Sequence, residues 1–179
     1  MKETKGDRRH ILITGLPGTG KTTMILSLVE RLSGTKAGFV TKEKRDGGKR
    51  TGFVIETISP GGERKTAPLA TRSQKGLPSV GSYRVFVENI ENVAVPSISV
   101  DADFIVIDEI GKMECTSKRF KEAVISAMEG RSRVIATIAK KGVGFIKGIK
   151  DRGDVRIFEV TNRNRDSLLE TLIREIERG

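Results

Sequence analysis

Gly15-Leu16-Pro17-Gly18-Thr19-Gly20-Lys21-Thr22 sets a lysine and a hydroxyl directly behind six residues that hold three glycines. The spacing is G-x-x-x-x-G-K-[ST], and its chemistry is phosphate binding. Glycines let the backbone curl until successive N–H groups point at one anion. A helix opening at Lys21 and running through Thr22 and Thr23 adds the positive end of its dipole at the same place. Lys21 can then reach the β and γ oxygens of a polyphosphate, and the Thr22 hydroxyl can ligate Mg²⁺.

A second constellation is Asp108-Glu109, which follows the apolar run Phe104-Ile105-Val106-Ile107. A buried strand that delivers carboxylates at its C-terminal end puts them where ligands bind in parallel sheets. Asp108 is the expected Mg²⁺ partner, acting through water, and Glu109 is placed to polarise a water attacking a γ phosphate. Asp108 to Gly111 also satisfies the D-x-x-G of regulatory GTPases, but the base-reading Asn-Lys-x-Asp is absent from the chain. Loose base selectivity is therefore the expectation. The tandem carboxylates favour water as the phosphoryl acceptor. A nucleotide or small-molecule kinase, with residues 42–75 as its lid, is the alternative built on the same loop, and a nucleic-acid-responsive ATPase is the further one.

Phosphoryl transfer spreads negative charge over the γ oxygens, so a second cation is sought. Lys112 is the first candidate because it lies close to Glu109; Arg45, Arg50 and Arg84 follow it. Thr137, near the end of an apolar run, can sense a γ phosphate or satisfy itself within a strand. Glu114 either pairs with Lys112 or caps the following helix region, with no chemistry assigned to it. Cys115 has no histidine near it in sequence and is expected to be inert; His10 is expected to be structural. Tyr83 and Phe86 line a base pocket or simply pack. Residues 161–166 form a loop that contacts the base or caps a helix through Asn164.

The elements that must position these groups can be traced from periodicity. His10 to Thr14 is a short buried strand, and Ile25, Leu28, Val29 and Leu32 recur at helical spacing after the glycine loop, with Ser33-Gly34 as the stop. Residues 37–69 predict an antiparallel insertion: a strand at 37–41, a Gly-Gly turn, a strand at 52–58, another turn and a return at 64–69. Residues 70–82 predict a loop. Residues 85–95 fit a strand or a short helix, closed by Pro96. Beyond lie strands at 103–108, 133–138 and 155–160, a helix after Thr116 or Ser117 with Phe120, Ala123, Val124, Ala127 and Met128 inward, and a final helix with Leu169, Leu172, Ile173 and Ile176 inward. Strands alternating with helices predict one α/β domain over 1–179, three layers with a mostly parallel central sheet, and the Gly-Lys-Thr loop between strand and helix makes the expectation a P-loop NTPase fold.

Composition narrows the function classes. The 179 residues are 36% hydrophobic and 31% charged, with a formal charge of +10. The longest uninterrupted apolar run, Phe104 to Ile107, is far too short to cross a bilayer. The basic N-terminal run leads into a five-residue strand rather than an export signal, so the expected location is cytoplasmic. One cysteine and one histidine exclude an internal disulfide and a Cys- or His-rich metal site. The excess charge sits in residues 35–75 and 130–156, each at a net +6. A polyphosphate, a nucleic acid or an anionic surface could each answer to that. With only eight aromatic residues, stacking platforms for nucleic acid are scarce, and nucleoside triphosphates are the preferred partner. A monomer or weak homo-oligomer is expected.

The ordered landmarks resemble a known family, the small nucleoside-triphosphatases first described from thermophiles. They are Gly15 to Thr23, Lys36-Ala-Gly-Phe39 with Arg50-Thr-Gly-Phe53, Val80-Gly-Ser-Tyr83, Asp108-Glu-Ile-Gly-Lys-Met-Glu114, and Asn164-Arg-Asp166. The resemblance implies Mg²⁺-dependent hydrolysis of several nucleoside triphosphates to diphosphates, on a fold related to RecA-like and AAA-type ATPases. Between Tyr83 and Asp108 the chain is shorter than family members that carry a long helix there.

Overall fold

The structure, a computed structural model, describes residues 9–177; the basic run over 1–8 lies outside them. Among the described residues one nine-stranded sheet has the order β5-β6-β4-β3-β2-β7-β8-β1-β9. Its half nearest the C-terminal strand is parallel: β2 (Lys36–Asp46), β7 (Phe104–Ile110), β8 (Arg133–Ile138), β1 (His10–Thr14) and β9 (Val155–Glu159). The other half is antiparallel, built from β3 (Lys49–Ile58), β4 (Thr66–Thr71), β5 (Ser79–Val80) and β6 (Tyr83–Val85).

Helices cover both faces and complete the three layers. On one face α1 (Lys21–Arg31) and α6 (Arg165–Glu177) pack Ile25, Leu28, Leu172 and Ile176 against Ile11, Ile13, Val106 and Ile135. On the other, α4 (Lys118–Glu129) and α5 (Phe145–Lys150) join a helical stretch made of α2 (Val87–Asn89), a π-helical turn (Ile90–Ala94) and α3 (Val95–Ile98). Phe120 of α4 meets Phe39 of β2 edge to face at 6.1 Å, and both rings are fully buried, each worth roughly 1.5–3 kcal/mol of burial. Two fully buried faces explain why the central strands read as continuous apolar runs rather than alternating ones.

Three expectations change. The antiparallel insertion is not 37–69. β2 pairs in parallel with β7 over Lys36–Phe39 and only then continues to Asp46 with β3 alone, and the antiparallel half extends to Val85 through β6. Pairing partners distant in sequence decide this, and no local pattern records them. Pro96 does not end a helix. It sits in the first turn of α3, directly after the π-helical turn, where a missing N–H is tolerated, and the helix runs on to Ile98. Asn164 precedes α6, but its side chain turns back into the loop, accepting from the Thr161 amide and donating to the Glu159 carbonyl. Ser117, by contrast, caps α4 by accepting from the Phe120 amide at 3.0 Å.

One glycine decides where the two halves meet. A Cβ on Gly38 would stand 1.9 Å from the Val106 carbonyl oxygen, so only glycine lets β2 lie against β7 at this level. That contact carries the hairpin to the site.

Candidate active site

The C-terminal ends of β1, β7 and β8 share one edge of the sheet. β1 feeds the phosphate loop. Gly20, which caps α1, has φ 91° and ψ 23°, a left-handed conformation that strains any residue bearing a Cβ. The loop closes on itself: the Thr19 hydroxyl donates to the Leu16 carbonyl at 2.8 Å, and the Lys21 ammonium donates to the carbonyls of Gly15 (3.1 Å) and Leu16 (3.2 Å). Leu16, Pro17, Gly18 and Thr23 are exposed, and the first turn of α1 holds no acidic residue. Its free amides therefore face outward with no carboxylate of their own to compete for them.

β7 brings Asp108 to the same place. The Thr22 hydroxyl donates to Asp108 Oδ2 at 2.8 Å, the Thr137 hydroxyl donates to Oδ1, and a backbone hydrogen bond reaches the carboxyl from Thr41 of β2. α1, β8 and β2 are thus tied at one carboxylate that is only 2% exposed. Burial pushes its pKa up, while these hydrogen bonds and the Lys21 charge oppose the rise. Thr137 can take part because β8 lies between β1 and β7, with Ile13 opposite Thr137 and Ile107 opposite Ala136.

Glu109 follows across a cis peptide and is half-buried. Burial raises its pKa, the Lys21 charge lowers it, and the Asp108 charge raises it again. Glu114 is buried in the 3₁₀ turn Glu114–Thr116, and among the described residues no ion pair joins it to Lys112. Burial first, then the Glu109 charge, push its carboxyl from 4.5 to about 8. The unfolded chain ionises Glu114 near 4.5 while the folded chain keeps it protonated to about 8, so stability declines as pH rises through that window. Glu114→Gln removes the decline. Denaturant unfolding at pH 5 and pH 8 should show the variant gaining on the parent by a few kcal/mol at the higher pH.

The other candidate cations are exposed or engaged by other side chains. Lys112 is exposed on the turn after β7. Arg45 and Arg50 are both held by Glu43, and Arg84 bonds Gln74 and lies over the Phe86 ring. Tyr83 packs edge to face on Phe53. His10 spans two elements, with Nε2 on the Met128 carbonyl and Nδ1 accepting from the Val134 amide. Cys115 has its thiol pushed up to about 12 by burial. A residue that motif spacing did not single out is Arg165, whose Cδ lies 3.0 Å from the point a Cβ on Gly20 would occupy. Its place in the 161–166 loop was the only signal available. No helix among the described residues is long and apolar enough to cross a membrane.

A glycine-rich loop between a parallel strand and a helix, joined through Thr22 to an acidic strand end, defines a P-loop NTPase site on an α/β sheet. Comparison with known proteins narrows the class. A family model described as NTPase matches residues 10–173. The nucleoside-triphosphatase THEP1 of Thermotoga maritima is 43% identical over 169 residues, covering 91% of this chain and 92% of that protein. Its namesake from Methanocaldococcus jannaschii is 40% identical over 176 residues, covering 95% and 98%. The crystal structure of THEP1 from Aquifex aeolicus superposes with a TM-score of 0.79 at 35% identity, covering 94% of this chain and 99% of that one. The solution structure of a human cancer-related nucleoside triphosphatase gives 0.77 at 32%, covering 96% and 98%. The chain belongs to this NTPase family and is a nucleoside-triphosphate-hydrolysing enzyme.

Proposed function

We propose that the enzyme cleaves the γ phosphate from nucleoside 5′-triphosphates of several bases, with Mg²⁺, giving diphosphate and phosphate. The observation that supports this most directly is the 2.8 Å hydrogen bond from Thr22 to Asp108, which joins the phosphate loop to the strand end that carries Glu109. A hydroxyl and a carboxylate are hard oxygen donors that suit Mg²⁺. No cluster of three or more His, Cys, Asp or Glu forms a separate cage among the described residues, which is how Mg²⁺ sites shared with substrate phosphates are built. Thr22 and Asp108 would hold the ion, which when bound neutralises charge developing on the phosphate oxygens.

The chain's own groups do the rest. The backbone N–H groups of the Gly15–Thr23 segment, Pro17 excepted because it has none, cradle the phosphates, the Lys21 ammonium exchanges its loop carbonyls for β and γ oxygens, and Thr137 holds Asp108 in place. Glu109, half-buried and with a raised pKa, accepts a proton from the attacking water. Arg165, the first residue of α6, lies against Gly20, next to Asn164, whose side-chain amide accepts from the Thr161 amide and donates to the Glu159 carbonyl. Rings that could stack nucleic-acid bases are covered: Phe53, Tyr83, Phe86 and Phe158 each carry an arginine. The basic blocks then serve to attract a polyphosphate.

The test compares γ-phosphate release from ATP, GTP, CTP and UTP with label transfer to nucleoside monophosphates. Release without acceptor, within about tenfold across bases, is the expected result. Transfer that far exceeds release would instead establish the kinase alternative.

A further inference from the structure

Gly111, in the turn after β7, separates two carboxyl groups. An ideal Cβ on it would meet Glu109 Oε1 at 2.7 Å and Glu114 Oε2 at 2.8 Å. Two atoms that close to a common point are no more than about 5.5 Å apart, within reach of a direct hydrogen bond or of one bridging water. The turn that returns Glu114 is fixed by its own backbone: Cys115 N–H bonds Gly111 O at 3.0 Å, Thr116 N–H bonds Met113 O at 3.2 Å, and Ser117 N–H bonds Glu114 O at 3.1 Å. Ser117 then starts α4, so the turn is anchored at both ends.

Nothing in these surroundings explains Glu114 as an ion-pair partner. The influences that favour its charged form are backbone hydrogen bonds from its own residue and Gly111, while the charges that act on it are those of Glu109 and Asp108. Burying a carboxyl among carboxylates is costly unless it stays protonated and donates a hydrogen bond. The carboxylate whose charge acts on it most is Glu109.

We propose that Glu114 is a positioning residue for hydrolysis: across the gap kept open by Gly111, its carboxyl donates a hydrogen bond to Glu109, directly or through one water, and aims that carboxylate at the attacking water. Glu114 keeps its own proton throughout; the proton of the attacking water goes to Glu109. The role rests on Glu109 being the group that activates water.

The test measures kcat and KM for Mg-ATP hydrolysis and the affinity for a fluorescent ATP analogue. Glu114→Ala and the volume-conserving Glu114→Met should lower kcat at least tenfold and leave KM and analogue affinity within twofold. Glu114→Gln, which retains a neutral donor, should keep at least a third of the activity. Gly111→Ala, whose methyl enters the gap, should behave as Glu114→Met does. Turnover within threefold of the parent in Glu114→Met overturns the proposal. So does an equal loss in the Gln and Met variants, or a loss of nucleotide affinity in step with kcat. Glu109→Gln serves as the control that keeps the two readings apart. If it hydrolyses ATP normally, the role given to Glu109 is wrong; if it is inactive while Glu114→Met is active, only the role of Glu114 is wrong.

Discussion

Lys21→Ala is expected to reduce kcat/KM for nucleoside triphosphate hydrolysis by about a thousandfold or more, the scale on which P-loop enzymes depend on cations at the transferring phosphoryl group. The expectation follows from where the ammonium already sits. It spans the carbonyls of Gly15 and Leu16 at 3.1 and 3.2 Å, so it stands inside the curve of the loop before any ligand arrives. A nucleotide offers it stronger, charged acceptors in place of two neutral carbonyls. The charge also opposes the rise in pKa of both Asp108 and Glu109, so alanine would leave two buried carboxyls more easily protonated. Binding and turnover should therefore fall together. Lys21→Arg should recover binding better than turnover, because a planar fork cannot replace a compact point charge in a tight loop. Phosphate release and analogue binding, measured on the same preparations, check both statements. Retained turnover in the alanine variant would remove the phosphate loop from the mechanism.

Glu109→Gln should separate the two quantities that Lys21→Ala moves together. The change is isosteric and removes a half-buried charge, so the fold and the phosphate loop are left alone. A general base contributes about 10²–10⁴ to rate, and kcat should fall by that order while KM and nucleotide affinity stay within a few-fold. The parent carboxyl has its pKa raised chiefly by burial, with Asp108 adding to the rise and Lys21 opposing it. Activity should accordingly decline on the acid side as Glu109 takes up a proton, and that limb should be missing from the residual activity of the variant. A pH series of kcat on both proteins reads this out. Normal turnover in Glu109→Gln would reject the role assigned to it.

Much of this was legible before any coordinates, and for identifiable reasons. Strands that are buried on both faces write themselves as apolar runs, so β1, β7 and β8 could be placed within a residue or two. The glycine-lysine-threonine spacing carries its own chemistry, because a loop that wraps phosphate has few sequence solutions. α5 was not anticipated: Phe145-Ile-Lys-Gly-Ile-Lys150 is short and interrupted by Gly148, and what holds it is Ile146 and Ile149 packed on the core. β5 exists only as a partner of β6, and β6 only as a partner of β5 and β4, so a local window sees a loop. Glu114 was passed over because adjacency in sequence points it at Lys112, whereas the turn after Gly111 folds it back toward Glu109. Nearness along the chain says little once a tight turn intervenes.

β2 leaves the parallel half of the sheet after Phe39, and the next contact toward the site is the backbone hydrogen bond from Thr41 to the Asp108 carboxyl. The root of the basic hairpin and the carboxylate at the end of β7 therefore share one bond. The strand runs on from there to Asp46, so the basic hairpin of β2 and β3 is rooted beside the phosphate site.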